Sequence, residues 1–255
     1  MLWYKAWLET RWRFLIGIAI LVLSVVGTVL AYPRVERVLP LMPSVDTSGL
    51  VGQRIKAIAD LSRTYGGYIW AQWLRQNNVQ MLSLFAALLG TGGLLSQAAG
   101  GGRLFTLSLP VSRDRLFGVR AATGLTELAI LAFVPSLLLP LLSPTVGQTF
   151  RIGAALAYGA CAFVASTVLF SATSLLSTVF NDIWRPALIV CAIATAIGVY
   201  EPFLGEISRY SLFGIMDGET YFRDGGLPWL GLLASAAASA AMLVAASRNL
   251  ARQDF

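Results

Sequence analysis

Apolar residues along this chain gather in long uninterrupted blocks rather than at strand or amphipathic-helix spacing. Blocks at about 14–32, 79–99, 121–142, 152–176, 187–199 and 229–246 each predict a buried helix, and several approach the ~20 residues that cross ~30 Å of hydrocarbon. The pattern predicts an all-α membrane protein, one transmembrane domain over 1–255 with six transmembrane helices.

The polar segments between the blocks carry their own periodicity. In "MLWYKAWLETRWRF", Lys5, Glu9 and Arg13 recur every four residues on one face, with Trp3 and Trp7 on another. Tryptophan favours the headgroup level and long cations snorkel outward from it, so an amphipathic N-terminal helix lying in the interface is expected, with a simple flank of the first span as the alternative. The first block is longer than a signal-peptide core and no small-residue cleavage site follows it, so it is expected to stay as an anchor. The outer loop, 33–78, is the longest polar section. Within it Leu50, Val51, Ile55, Ile58 and Leu61 lie opposite Arg54, Lys56 and Asp60, and Trp70 and Trp73 precede the second block. Amphipathic helices ending in an interfacial aromatic belt are the expectation there.

Composition agrees: 56% of residues are hydrophobic, 13% are charged, and the mean hydropathy is +0.70. The net charge of +6 raises the question of nucleic acid, which is answered by counting charges by side. Six spans put both termini on one face, together with Lys5, Arg11, Arg13, Arg103, Arg113, Arg115, Arg120, Arg185, Arg248 and Arg252. Only Glu9, Asp114, Asp182 and Asp254 oppose them there, whereas the last outer loop is rich in acid. The outer loop itself carries six basic residues, Arg34, Arg37, Arg54, Lys56, Arg63 and Arg75, but long loops weigh less on orientation. Positive-inside topology therefore accounts for most of the positive charge, and a cytoplasmic location is expected for both termini, with membrane lipid and not nucleic acid as partner.

Histidine is absent, which excludes histidine metal ligands and histidine general bases. Cys161 and Cys191 both lie inside apolar blocks and read as small buried hydrophobes. No phosphate-binding loop is present, because the "GTGG" and "GGG" clusters lack the following lysine and hydroxyl. The glycines of "GTGG" read instead as sites of close helix approach and Gly100–Gly102 as a flexible helix end. No catalytic residue, metal site or cofactor held by this chain is expected. Glu127 stands inside the third block. It is either a polar group on a translocation path or the acceptor of an interhelical hydrogen bond.

One polar segment stands between two of the most apolar blocks: "GGGRLFTLSLPVSRDRLFGVR", Gly100–Arg120. Pro110 fits a first helical turn and Ser112 a cap, giving a short cytoplasmic elbow that exposes Leu107, Leu109 and Val111 among cations. Exposed apolar residues ringed by charge suit docking onto another protein. A solvated loop is the alternative on these residues alone.

The "LSLPVSR" stretch after the second block closely resembles the cytoplasmic coupling segment of type-2 ATP-binding-cassette (ABC) exporter permeases. The "ETRWRF" N-terminus, the "FLGEISRYSLFGIMDGETYF" stretch and the C-terminal tail are similar to that family along the whole chain. One departure is Gln97, where the family often carries glutamate. The resemblance implies that Leu107, Ser108, Leu109, Pro110, Val111, Ser112, Arg113 and Asp114 form a coupling helix against a separate ABC ATPase subunit. It implies a second, smaller contact at Phe180, Asn181, Asp182, Trp184 and Arg185. ATP and magnesium would sit on that partner, and a second permease copy, identical or similar, would complete the carrier in a bacterial inner membrane. Two rivals predict other features. A secondary transporter predicts paired intramembrane charges or an inverted repeat, and a lipid-headgroup transferase predicts clustered interfacial acids.

Overall fold

The structure, a computed structural model, describes residues 2–38, 60–91, 113–180, 182, 184–201 and 211–252. The first helix, α1, runs unbroken over Leu2–Val38. The sequence led us to expect an interfacial helix separate from the first span. However, no glycine or proline interrupts "ETRWRFLI", and the Thr10 hydroxyl donates to Glu127 instead of capping a new helix start, so the two continue as one rod of 37 residues, about 55 Å long. Trp3, Tyr4, Trp7 and Trp12 point outward, while Ala6 and Thr10 are buried.

The second helical run corrects the reading of the outer loop. It starts at Tyr65, well before residue 79, and continues through α2 (Tyr65–Tyr68), a π-helical section (Ile69–Asn78) and α3 (Val79–Gly90). Thr64 caps its start by accepting the Gly67 N–H. Trp70 and Trp73 form no interfacial belt: they are 1% and 0% exposed and are the largest fully buried side chains described. Trp70 stacks on Phe222 with centroids 4.5 Å apart and donates its indole N–H to the Asp217 carbonyl at 3.2 Å. The polar letters that read as loop, Gln72, Arg75 and Gln76, lie on the outer side of this run, where they are exposed or half-buried. The expected helices over 50–59 and the end of the second block, 92–99, fall outside the described residues.

Next come α4 (Arg113–Leu142), which ends in a 3₁₀ turn over Ser143–Val146, and α5 (Ile152–Leu176). They are followed by α6 (Trp184–Tyr200), the short pair α7 (Leu212–Met216) and α8 (Glu219–Asp224), and α9 (Trp229–Ala251). Every described element is helical. Among the described residues, four helices are long and apolar enough to cross a membrane: Leu2–Val38, Asp114–Val146, Ile152–Leu176 and Trp229–Ala251. α6 is apolar but shorter.

Cross-contacts fix the directions. Thr10 meets Glu127 at one end and α1 meets the 3₁₀ turn at the other, so α1 and α4 run parallel. Arg13 meets Leu88 while Tyr68 donates to the Thr28 carbonyl, so the second run is antiparallel to α1. α9 runs parallel to α5, through Thr167–Ser239 and Thr178–Asn249. The bundle therefore has an N-terminal end, holding Leu2, Thr91, Arg113 and Arg252, and a far end, holding Val38, Tyr65 and Trp229.

α5 is the hub, touching α3, α4, α6, α7 and α9. Its composition explains this. Alanine, serine, threonine and glycine dominate "GAALAYGACAFVASTVLFSATSLL", so neighbours approach from every side and van der Waals contact replaces a hydrophobic driving force. A Cβ on Gly90 would lie 2.5 Å from the Phe170 carbonyl oxygen, and one on Gly124 would lie 2.6 Å from the Phe170 ring. The buried hydroxyls of α5 bond back to carbonyls three or four residues earlier, as Ser171 does to Thr167 at 2.7 Å.

Candidate functional site

The N-terminal end of the bundle is where the candidate coupling segment leaves and rejoins the described structure, at Thr91 and Arg113. Leu107, Ser108, Leu109, Pro110, Val111 and Ser112 lie outside the described residues, as does Asn181. What the structure does give is how both stems of the segment are held.

The second run ends at Thr91, whose extended backbone leaves its last-turn carbonyls without helical partners. The Thr91 hydroxyl donates to the Leu88 carbonyl at 2.7 Å, Ser174 of α5 to the Gly90 carbonyl at 3.4 Å, and two arginines from neighbouring helices add further donors. Arg13 of α1 donates to the Leu88 carbonyl at 2.9 Å and to the Thr91 hydroxyl at 2.5 Å. Arg120 of α4 donates to the Thr91 carbonyl at 3.0 Å and pairs with Glu9 of α1 at 3.1 Å. Cations at a helix C-terminus also complement its negative dipole end. The Arg120 and Glu9 side chains are only 19% and 28% exposed, so water screens this pair less than it screens a surface pair. Three helices and one stem of the segment are thus tied at a single point.

Two turns along α4, Glu127 is 3% exposed and its Oε1 accepts the Thr10 hydroxyl at 2.6 Å. Residues 120 and 127 share a face because seven residues make about two helical turns. Glu127 Oε2 has no hydrogen-bond partner among the described residues.

Beside this clamp lies a small hollow of about 60 Å³, walled by Glu9, Gly90, Phe117, Arg120, Ser174 and Thr178 among others. Asp114, in the first turn of α4, is exposed. The second expected contact follows α5. Phe180 closes a tight turn through its N–H to Leu176, and Asp182 accepts the Trp184 N–H at 3.0 Å. Asp182 also pairs with Arg185 at 3.4 Å, but those side chains are 45% and 70% exposed, and such pairs contribute at most about 1 kcal/mol. Trp184 is 61% exposed. Asn249 of α9 donates to Thr178 at 2.7 Å and holds this corner against the last helix.

Sequence reasoning treated Glu9, Arg13 and Arg120 as topology markers or headgroup contacts and missed the clamp. The signal lay in the i, i+4 spacing of Glu9 and Arg13, matched by Arg120 seven residues before a second acid. The far end, also missed, holds Asp217, buried at 4% exposure with its Oδ1 accepting the Glu219 N–H at 2.8 Å. Among the described residues, no three Cys, Asp or Glu side chains converge as metal ligands. No protein-family model, no curated protein and no solved structure matches the chain.

Proposed function

We propose that this chain is the membrane subunit of a two-component ABC exporter, driven by a separate ATPase subunit. In this reading it crosses a bacterial inner membrane six times, with the run Tyr65–Gly90 and α6 as additional crossings, and keeps both termini in the cytoplasm. A second copy or a similar chain completes the carrier.

The observation that carries the reading is the clamp at the base of the segment holding "LSLPVSR". A loop that receives force from a partner needs stems coupled to the bundle, and Arg13 and Arg120 join Thr91 to α1 and α4. Movement of the segment would then displace three helices together as a rigid-body transition between interfaces. The alternating helix directions agree with six crossings. Glu127 serves in this scheme as the hydrogen-bond acceptor that holds α4 to α1. The second contact, Phe180 to Arg185, adds an exposed aromatic, Trp184, beside an acid and a cation.

The test is co-expression and co-purification with the candidate ABC ATPase subunits of the same genome. Leu109→Asp or Arg113→Glu should abolish capture of the ATPase while the protein still inserts, and undiminished capture by both variants would overturn docking at this segment. Orientation is checked with Asp224→Cys in a Cys191→Ala background, since Asp224 is exposed whereas Asp217 is buried. Labelling by an impermeant reagent from outside is expected, and protection would reverse the topology.

A further inference from the structure

At the far end, a cavity of about 530 Å³ lies between the second run, α6 and α7. Its volume falls in the roughly 300–1,000 Å³ range of small-molecule sites. The cavity exists because α6 is loosely seated: along its length only Pro186, Ala187, Val190 and Ala194 are buried, while Thr195 and Val199, which line the cavity, are exposed. One flank is apolar, with Val79, Val190, Ala194 and Phe213. The other presents Arg75, Gln80, Ser83, Glu201 and Asp217.

Among the described residues that line this flank, two carboxylates face one guanidinium. Glu219 stands close by but is tied to Arg223 at 2.7 Å. Arg75 lies over the Trp70 ring, 5.3 Å from its centroid. Among the described residues no cation comes within ion-pair distance of Asp217, although its side chain is buried against the cavity. Glu201 meets the Ser211 hydroxyl. A carboxylate withdrawn from water without a counter-charge is costly, so either a proton or a cation must accompany Asp217.

We propose that this cavity binds a singly charged organic cation, its charge beside Asp217 and its apolar body against Val190, Ala194 and Phe213. An anion of the same shape would meet two acids and only a guanidinium already engaged with Trp70. The cation takes the place of the proton, so the two compete. Burial pushes the Asp217 carboxyl well above the ordinary aspartate range, and Glu219 and Glu201 push the same way. The Glu219 N–H and Arg75 oppose the shift. From α5, the Tyr158 hydroxyl and Cys161 thiol face the same carboxyl. Burial also raises the Glu201 carboxyl, against Ser211 and Arg75. Binding should therefore strengthen as pH rises through the raised Asp217 value. This inference concerns the chain alone and holds whether or not an ATPase drives it.

The test is equilibrium dialysis of the full-length protein in nanodiscs of neutral lipid, with empty nanodiscs subtracted. The probes are tetraphenylphosphonium and tetraphenylborate, which share a shape and differ in charge. We expect one saturable site for the phosphonium, weakened about tenfold or more by Asp217→Asn, with the borate at least about tenfold weaker. Thr195→Trp, at an exposed position on the cavity wall, should block the site without disturbing the core. Equal binding of the borate overturns the proposal, as does phosphonium binding that survives Thr195→Trp. If Asp217→Asn does not fold, Thr195→Trp and the borate comparison decide alone.

Discussion

The two ends of the bundle handle buried charge in opposite ways. At the N-terminal end, helices sit close enough for Arg13, Arg120, Glu9 and Glu127 to find partners on neighbouring helices, and the hollow left over is about 60 Å³. At the far end, α6 stands off, a space of about 530 Å³ remains, and among the described residues the Asp217 carboxylate accepts a hydrogen bond from a backbone amide of its own turn, with Arg75 acting through its field. Packing density decides the outcome. Where glycine and small residues let backbones meet, polar groups cross-link helices. Where they do not, the same kind of groups line a void.

The sharpest way to break this contrast is to remove one arginine at each end. Arg120→Ala deletes the Glu9 pair and the bond to the Thr91 carbonyl, and should cost about 2–3 kcal/mol. Arg75→Ala removes a cation stacked on Trp70 at the exposed edge of the cavity and should cost less than about 1 kcal/mol. Thermal unfolding in detergent reads both, and equal losses would erase the distinction.

A smaller effect separates two glycines. Gly124→Ala drives a methyl group to 2.6 Å from the Phe170 ring and should destabilise by about 1–3 kcal/mol. Gly198→Ala meets Phe213 at 3.5 Å, an ordinary contact, and should be neutral or stabilising by up to about 1 kcal/mol through helix propensity. The same unfolding measurement applies. Destabilisation by Gly198→Ala would mean that α6 is seated more tightly than its exposure indicates.

The smallest effect is at Glu127. Glu127→Gln keeps a carbonyl oxygen to accept from Thr10 and should change stability by less than about 1 kcal/mol. A larger loss would mean that the charge itself, near Arg120, holds α4 to α1.

Much of the fold was legible because hydrophobic blocks report burial directly. The α5 boundaries, 152 and 176, follow from Arg151 and the polar turn before it and from the serine-rich exit after it. The start of the second run was not legible. Gly66, Gly67 and the polar run from Gln76 to Asn78 look like loop, and only tertiary burial of Trp70, Trp73 and Leu74 makes the segment helical. The join of the N-terminal helix to the first span was hidden for the opposite reason: its charges looked solvated, and a one-dimensional pattern does not show that Arg13 has a helix end within reach. Of the candidate site, Glu127 stood out because a lone acid in an apolar block needs a partner. Its partner Thr10 did not stand out, since threonine is unremarked in any helix. The far cavity left no trace in the letters, because a gap between helices has no residue of its own.

The run from Tyr65 to Gly90 joins these two ends within one piece of backbone. Arg75, Gln80 and Ser83 wall the void, and a turn or two farther on Leu88 and Thr91 receive the arginines. Thermodynamic reciprocity then applies. If a guest at the far end prefers one tilt of this helix, the same free energy biases the stem at Thr91, and whatever binds the 92–112 segment with a preference for that tilt alters the guest's affinity by an equal factor.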